Sequence, residues 1–362
     1  MKTRLVIRSP QDAIAAVPYL LGFHPSESLV VIGYDGPHDT CAMRLDLPQP
    51  DAAGRVATML RHNGFRRALL LCYGTAQAVT PTVQATWEAL TEGGLEVADA
   101  IRVTGDRWWS LTDECCPDGH PYDSSSTVVA AEATLAGQVA LHDRAELART
   151  IAPLEGLPRA SVRRATDHAE TRFLSWAREG LAPAQIQARL LHRAVPLLGL
   201  SGTAAALSDD DIAWLGIALT NMRVRDEAWL RIDKDDPSSD IAFWRDVLRR
   251  VEEPYAAAPA CLLAIAAYAS GDGGLANLAL DRAEDSDPAY SLASLLRAVI
   301  AVGIPPSELR LSLTPEALAT AYTDPEPAYT TRAYTDPAYT DPAAPPHQRE
   351  EPDLTNDPRP DP

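Results

Sequence analysis

Residues 9–34, which read SPQDAIAAVPYLLGFHPSESLVVIGY, constrain the fold more than any other stretch of this sequence. Ser9 is suited to cap a helix, Pro10 fits the first helical position, and Asp12 complements the positive end of the helix. The continuous apolar run at residues 29–32 is typical of a strand that is covered on both faces. The stretch therefore predicts a helix that packs on a buried strand.

Strand and helix patterns alternate around this stretch. A short strand is predicted at residues 3–7, and it would complete a βαβ unit with the helix and strand just described. The patterns that follow predict strands at 40–47, 68–73, 100–104 and 107–111, and helices at 52–62 and 80–93. We therefore predict an α/β domain over residues 1–125 with a mixed, largely parallel sheet.

Residues 126–312 show helical apolar spacing without an evident strand pattern, which predicts an all-α helical domain. Within it, residues 260–288 place small and large side chains as one tetratricopeptide-type helix hairpin does. Because stable arrays of such hairpins need about three repeats, an ordinary antiparallel helix pair is the favoured interpretation.

The end of the chain, residues 313–362, is of low complexity. The sequence AYTDP occurs three times within it, and residues 315–362 hold ten Asp and Glu against three Arg. A segment of this composition cannot bury a core, so a disordered, acidic, proline-rich tail is predicted. An open alternative gives its tyrosines a role as docking or modification points.

Charge and hydropathy exclude several kinds of partner. The net charge of −18 argues against nucleic acid, which needs clustered Lys and Arg. The N-terminal sequence MKTRLVIRSP lacks a signal-peptide core, and the longest apolar run is too short to cross a bilayer. We expect a cytoplasmic protein with no membrane partner. Its five cysteines form no disulfide framework, so free thiols are expected.

Four segments carry a resemblance to a known family. They are PYLLGFHPSESLVVIG at 18–33, RWW at 107–109, CCPDG at 115–119 and AAEATLAG at 130–137. With them the sequence resembles, from about residue 8 to residue 306, the actinobacterial domain of unknown function 4192 family. The resemblance implies no activity and no catalytic residues. Members often carry one more cysteine just before the CCP, where this chain reads LTDE, and this departure weakens a metal-site interpretation.

The start of the first helix is one candidate ligand site. Arg8 and Ser9 stand there, just beyond the predicted first strand, where the helix dipole favours an anion. The loop lacks the glycines with which a backbone wraps a phosphate. Arg8 and Ser9 are therefore candidates for an anion site that has no nucleotide-binding motif, and we predict no cofactor.

His24 and Ser26, in the turn before the buried strand, form a second candidate site. With Ser28 and an acid such as Asp46 they would make a nucleophilic set. No G-x-S-x-G elbow is present, and in a parallel sheet this turn would lie at the N-terminal end of its strand, away from the edge where ligands gather. The favoured interpretation is that both serines satisfy backbone groups of the turn.

Cys115, Cys116 and His120 form the most metal-like cluster in the sequence. Adjacent cysteines seldom both ligate one zinc ion, and a second pair at C-x-x-C spacing is missing. We therefore predict a structural loop without metal, whose PDG turn packs under Trp108 or Trp109. Because neighbouring side chains in a strand point to opposite faces, one tryptophan should point outward and mark a contact surface.

These observations favour a non-enzymatic cytoplasmic protein that acts through protein–protein contacts. The alternative is a hydrolase or transferase that acts on a phosphorylated small molecule or nucleotide, bound near Arg8, Ser9 and the loop after Tyr73. Neither the partner nor the oligomeric state follows from the sequence.

Overall fold

The structure, a computed structural model, describes residues 7–37, 40–113, 116–123, 127–203, 205–308 and 314–323. The chain divides into two units, Met1–Ala319 and Thr320–Pro362. The described residues of the second unit, 320–323, are helical. Among the described helices of the chain, none combines the length and the apolar character that a membrane span requires.

The predicted helix and strand at the start of the chain are confirmed. Helix α1 (Pro10–Leu21) is capped by Ser9, whose Oγ accepts a hydrogen bond from the Asp12 amide at 3.1 Å. The Asp12 carboxylate accepts in return from the Arg8 amide at 3.0 Å. Strand β1 (Ser28–Tyr34) follows, and six of its seven residues are buried.

The sheet has six strands in the order β2-β1-β3-β4-β5-β6. The further strands are β2 (Cys41–Asp46), β3 (Arg67–Tyr73), β4 (Glu96–Thr104), β5 (Arg107–Ser110) and β6 (His120–Pro121). Among the strands that the structure describes, only β3 and β4 pair in parallel, while the other neighbours in the sheet are antiparallel. The prediction of a largely parallel sheet was therefore wrong. The β1–β2 hairpin reverses the chain before it crosses to β3, so β3 is antiparallel to β1.

Two other expectations about strands have different outcomes. Residues 3–6 of the predicted first strand lie outside the described residues, and Ile7 is not in a strand. Strand β6 was not predicted, because its two residues leave no periodic pattern.

Two helices cover one face of the sheet. A short 3₁₀ helix, Pro50–Ala52, leads into α2 (Ala53–His62), and α3 (Ala76–Glu92) joins β3 to β4. Helix α3 begins before the predicted start at residue 80, because Thr75 caps it by accepting from the Ala78 amide at 3.4 Å.

The remaining described helices form the predicted helical region. They are α4 (Val128–Leu135), α5 (Arg144–Arg149), α6 (Gly156–Arg178), α7 (Pro183–Leu198), α8 (Asp209–Ala218), α9 (Met222–Leu230), α10 (Ser238–Arg250), α11 (Ala257–Ser270), α12 (Gly273–Ser286), α13 (Ser291–Val302) and α14 (Pro315–Thr323). Helix α14 lies where the sequence predicted a disordered tail, and its Leu318 is only 2% exposed. The disordered tail stays a prediction, because residues 324–362 lie outside the described residues.

The two faces of the sheet belong to different cores. Leu29 and Val31 face α2 and α3 in the smaller core. Val30 and Ile32 face the larger core, which also contains apolar residues of α1 and of helices α5–α13. One continuous core therefore includes residues from both sides of the predicted domain boundary at residue 125, and that boundary stays a prediction.

Candidate functional site

Helix α1 already has a negative charge at its N-terminus. The Asp12 carboxylate accepts from the Arg8 amide, and the Asp12 amide donates to Ser9 Oγ. A bound anion at Arg8 and Ser9 would therefore meet the charge of Asp12 at close range. The Ser9 cap and the hydrogen bond from the Arg8 amide to Asp12 account for these residues without a ligand.

The turn at His24 and Ser26 lies at a different edge of the sheet from the one expected. Ser28 pairs with Tyr73, so the turn reaches the edge where β3 and β4 end. The expected position at the N-terminal end of a parallel strand was wrong, because β1 is antiparallel to β3. The turn is thus beside the carboxyl ends of the one parallel pair among the described strands, where ligands bind in open α/β sheets.

Within the described residues, no hydrogen bond joins the side chains that the nucleophile hypothesis would combine. The Asp46 carboxylate pairs with the Arg44 guanidinium at 2.7 Å. The His24 amide donates to the Leu141 carbonyl at 2.9 Å, and burial together with His142 lowers the pKa of the His24 imidazole. Ser26 is exposed. The turn therefore shows no assembled catalytic set.

The two tryptophans of β5 point to opposite faces of the sheet, as predicted. Trp108 packs against the larger core and stacks on His120, with ring centroids 4.5 Å apart. The Trp109 ring lies under the Arg102 guanidinium at 3.8 Å, and its indole N–H donates to the Pro117 carbonyl at 3.0 Å. The PDG turn of the loop therefore packs against Trp109.

Gly119→Ala should destabilise the protein by about 1–3 kcal/mol, a typical cost of overpacking. Gly119 has a φ of 69°, and an added Cβ would lie 2.7 Å from Trp109 Nε1. Urea unfolding followed by circular dichroism would measure the change. Gly105→Ala is the matched control, since Gly105 also has a positive φ, 62°, but an added Cβ there meets no atom within 4 Å. Equal losses in both variants would show that backbone conformation, and not the contact with Trp109, determines the cost.

The described residues contain no group of three or more His, Cys, Asp or Glu side chains that could hold a metal ion. Cys115 lies outside the described residues, while Cys116 is partly buried and His120 stacks on Trp108. The structural role predicted for this loop stays a prediction.

The thiols of Cys41, Cys72 and Cys261 are shielded from reaction by burial. Burial raises the pKa of the Cys72 and Cys261 thiols to about 12 and also raises that of Cys41. A thiol is nucleophilic only as the thiolate, so these three side chains act as apolar filler.

A basic surface backed by tryptophans, on helices α6, α7 and α8, was not predicted from the sequence. Trp176 of α6 stacks on Trp214 of α8 with ring centroids 5.4 Å apart. From α7, the Arg189 guanidinium lies 5.4 Å from the Trp176 ring, and the Arg193 guanidinium lies 4.3 Å from the Trp214 ring. We call this surface the Arg–Trp platform. It comprises Arg172, Trp176, Arg189, His192, Arg193 and Trp214.

A pocket of about 370 Å³ opens on this platform, lined by Trp176, Ala188, Arg189, His192 and Arg193. The spacing of Arg189 and Arg193 on one face of α7 was visible in the sequence. Their aromatic partners come from two other helices, so only the packing of α6, α7 and α8 reveals the surface.

The platform carries positive charge that is incompletely balanced. Arg189 has a long ion pair with Glu179 at 3.7 Å. Burial and the nearby Arg172 lower the pKa of the Arg193 guanidinium, and the carboxylates of Asp211 and Asp210 oppose this. Among the described residues, neither Arg172 nor Arg193 has a hydrogen bond or ion pair through its guanidinium.

Comparison with known proteins gives one family. The family model described as domain of unknown function (DUF4192) matches residues 10–307. No curated protein and no solved structure matches the chain. The matched residues include the whole sheet and helices α1–α13. The chain therefore belongs to the DUF4192 family.

Proposed function

We propose that this protein acts without catalysis, through contacts with partner proteins, and that the Arg–Trp platform binds an acidic segment of such a partner. One observation carries the proposal. The guanidinium groups of Arg172 and Arg193 lie close together and, among the described residues, neither forms a hydrogen bond or ion pair with a carboxylate, although Asp210 and Asp211 lie near Arg193 and the chain has a net charge of −18.

The geometry of the platform fits carboxylate ligands. The guanidinium groups of Arg189 and Arg193 lie over the Trp176 and Trp214 rings. Stacking holds a guanidinium in place, and its N–H groups remain able to donate to a carboxylate in bidentate fashion. The donors stand on helices rather than on loops, so little ordering is required when a ligand binds.

The pocket adds an apolar contact to this charge. It is an open surface depression of about 370 Å³, and one wall is the Trp176 indole. An acidic segment that also carries an apolar side chain would use both features.

The rival function, a hydrolase or transferase for a phosphorylated small molecule, has less support. Its proposed site at Arg8 and Ser9 holds the Asp12 carboxylate, which would repel a phosphate. In the described part of the chain, the turn of His24 and Ser26 shows no set of catalytic side chains within hydrogen-bond reach of one another.

Binding of a fluorescein-labelled hexaglutamate peptide tests the proposal by fluorescence anisotropy. We expect saturable binding that weakens as NaCl screens the charges. Arg193→Gln should weaken it about tenfold, the effect of one charge-assisted hydrogen bond. Arg61→Gln is the matched control, because Arg61 is exposed on α2 and the same charge is removed away from the platform.

Two results would contradict the proposal. Equal weakening by Arg193→Gln and Arg61→Gln would show non-specific attraction to the peptide. Binding of ATP to the wild-type protein in the absence of peptide binding, with loss in Arg193→Gln, would instead support the rival function and place its ligand on the platform.

A further inference from the structure

One row of residues crosses the sheet at the edge where β3 and β4 end. Ser28 of β1 pairs with Tyr73 of β3, Tyr73 with Val103 of β4, Val103 with Trp108 of β5, and Trp108 with His120 of β6. Directly paired residues of neighbouring strands point to the same face. The side chains of this row therefore share the face that belongs to the larger core, where Tyr73 and Val103 are buried.

Three polar atoms in this row have no hydrogen-bond partner in the part of the chain that the structure describes. Among the described residues, none bonds to Ser28 Oγ, Tyr73 Oη or Trp108 Nε1. Ser28 is 0% exposed and Tyr73 is 8% exposed, so both hydroxyls have also lost most of their contact with water. Buried polar groups in folded proteins are nearly always paired, and several unpaired groups in one row therefore need an explanation.

The place of the row in the sheet points to a ligand. Tyr73 is the last residue of β3, and the carboxyl ends of parallel strands are the edge where open α/β sheets bind small molecules. The loop that enters β1 at this edge holds Glu27 at a φ of 40°, which is rare for a residue with a side chain. A Cβ on Gly74 would lie 3.2 Å from Glu27 Oε2, so the two loops at this edge touch.

The chemistry of the row defines the ligand. A tyrosine hydroxyl, a serine hydroxyl and an indole N–H are uncharged groups that can donate. Burial raises the pKa of the Tyr73 phenol, so it stays protonated. The nearby guanidinium of Arg44 is already paired with Asp46 at 2.7 Å, which leaves no net positive charge for an anion. The stacked rings of Trp108 and His120 supply an aromatic wall.

We propose that Ser28, Tyr73 and Trp108 form the floor of a small-molecule site for an uncharged planar heterocycle with carbonyl oxygens. One carbonyl oxygen would accept from the neighbouring Ser28 and Tyr73 hydroxyls and a second from Trp108, which lies two strands beyond Tyr73, while the ring would lie among the aromatic side chains. Trp108 and His120 are partly exposed, so a ligand would enter the site beside them. This site is independent of the Arg–Trp platform and does not depend on the function proposed for it.

Uracil and nicotinamide are the uncharged probes, and orotate is the matched charged probe because it is uracil with a carboxylate. Isothermal titration should show that wild-type protein binds uracil or nicotinamide, and binds orotate at least about tenfold more weakly than uracil. Tyr73→Phe should weaken binding of the uncharged probe at least about tenfold. Tyr34→Phe, which removes a hydroxyl from the opposite end of β1, should leave binding unchanged.

Stability without any probe gives a second readout. Tyr73→Phe removes only an unpaired hydroxyl, so the variant should melt at the same temperature as the wild type or higher. A lower melting temperature would show that the hydroxyl is already satisfied, and would overturn the proposal. Failure of both uncharged probes to bind, equal binding by Tyr73→Phe, or tighter binding of orotate than of uracil would each overturn it as well.

Discussion

Glu227→Gln should lower the free energy of unfolding by about 3 kcal/mol, because it removes the charge at the centre of a buried, hydrogen-bonded ion-pair network. Glu227 lies in α9 and is 4% exposed. Its carboxylate accepts from the Arg223 guanidinium at 2.7 Å and from the Arg231 guanidinium at 2.8 Å. Arg223 is 6% exposed, so its charge has little access to water once the carboxylate is gone.

Urea unfolding at pH 7, followed by circular dichroism, would measure this loss. Glu132→Gln is the matched control, because Glu132 is exposed on α4 and should change stability by less than about 0.5 kcal/mol. A loss below about 1 kcal/mol in Glu227→Gln would show that Arg223 finds a substitute partner and that the pair is not a major source of stability.

The same carboxylate should give the protein an acid-sensitive component of stability. Burial would raise the pKa of Glu227, but hydrogen bonds from Arg223 and Arg231 hold it below the ordinary value of 4.5. A lowered pKa in the folded state stabilises the protein above pH 4.5, and this contribution is lost as the pH falls through the folded-state pKa. Glu227→Gln should therefore reduce the difference in stability between pH 7 and acid.

Local signals in the sequence were sufficient for many of the helices. Ser9 with Asp12 and Ser208 with Asp211 are capping residues, and the structure shows both caps. A cap involves residues three positions apart, so all the residues that form it lie within a short stretch of sequence. The same holds for the β4–β5 hairpin, whose turn at Gly105 needs a positive φ that glycine adopts without strain.

Strand direction could not be predicted from short stretches of sequence. The strand at 29–32 has the same apolar run whether its neighbour is parallel or antiparallel. Direction depends on which strand lies beside it in space, and β1 lies between β2 and β3. This one error moved the His24 turn to the wrong edge of the sheet, and the argument from sheet position against a ligand at that turn was wrong with it.

The candidate sites also include features that a short stretch of sequence predicts and features that only the folded chain shows. Trp108 and Trp109 could be assigned opposite faces because strands alternate with period two. The Arg–Trp platform could not be assembled, because Trp176 and Trp214 belong to helices that meet only in the folded chain. That the Ser28 and Tyr73 hydroxyls have no hydrogen-bond partner among the described residues could not be predicted either, since it depends on every residue that surrounds them in the fold.

Trp244→Ala should lower the free energy of unfolding by about 3–5 kcal/mol and should loosen the sheet together with the helices. Trp244 of α10 is 2% exposed and packs edge to face against Phe243, with ring centroids 5.0 Å apart. It belongs to the larger core, which also contains Val30 and Leu71 of the sheet. A cavity in the helical region therefore weakens packing that the sheet shares.

Hydrogen exchange at the backbone amides of β1 and β3 would test this coupling. If residues 1–125 fold as an independent domain, those amides should keep their protection in Trp244→Ala; if the shared core determines stability, they should exchange faster by the same free energy as the helices. Leu295→Ala is the control, because Leu295 is 55% exposed on α13 and its removal leaves no cavity. We expect the shared result, since the core is continuous across residue 125, and unchanged protection of Val30 and Leu71 would establish two domains instead.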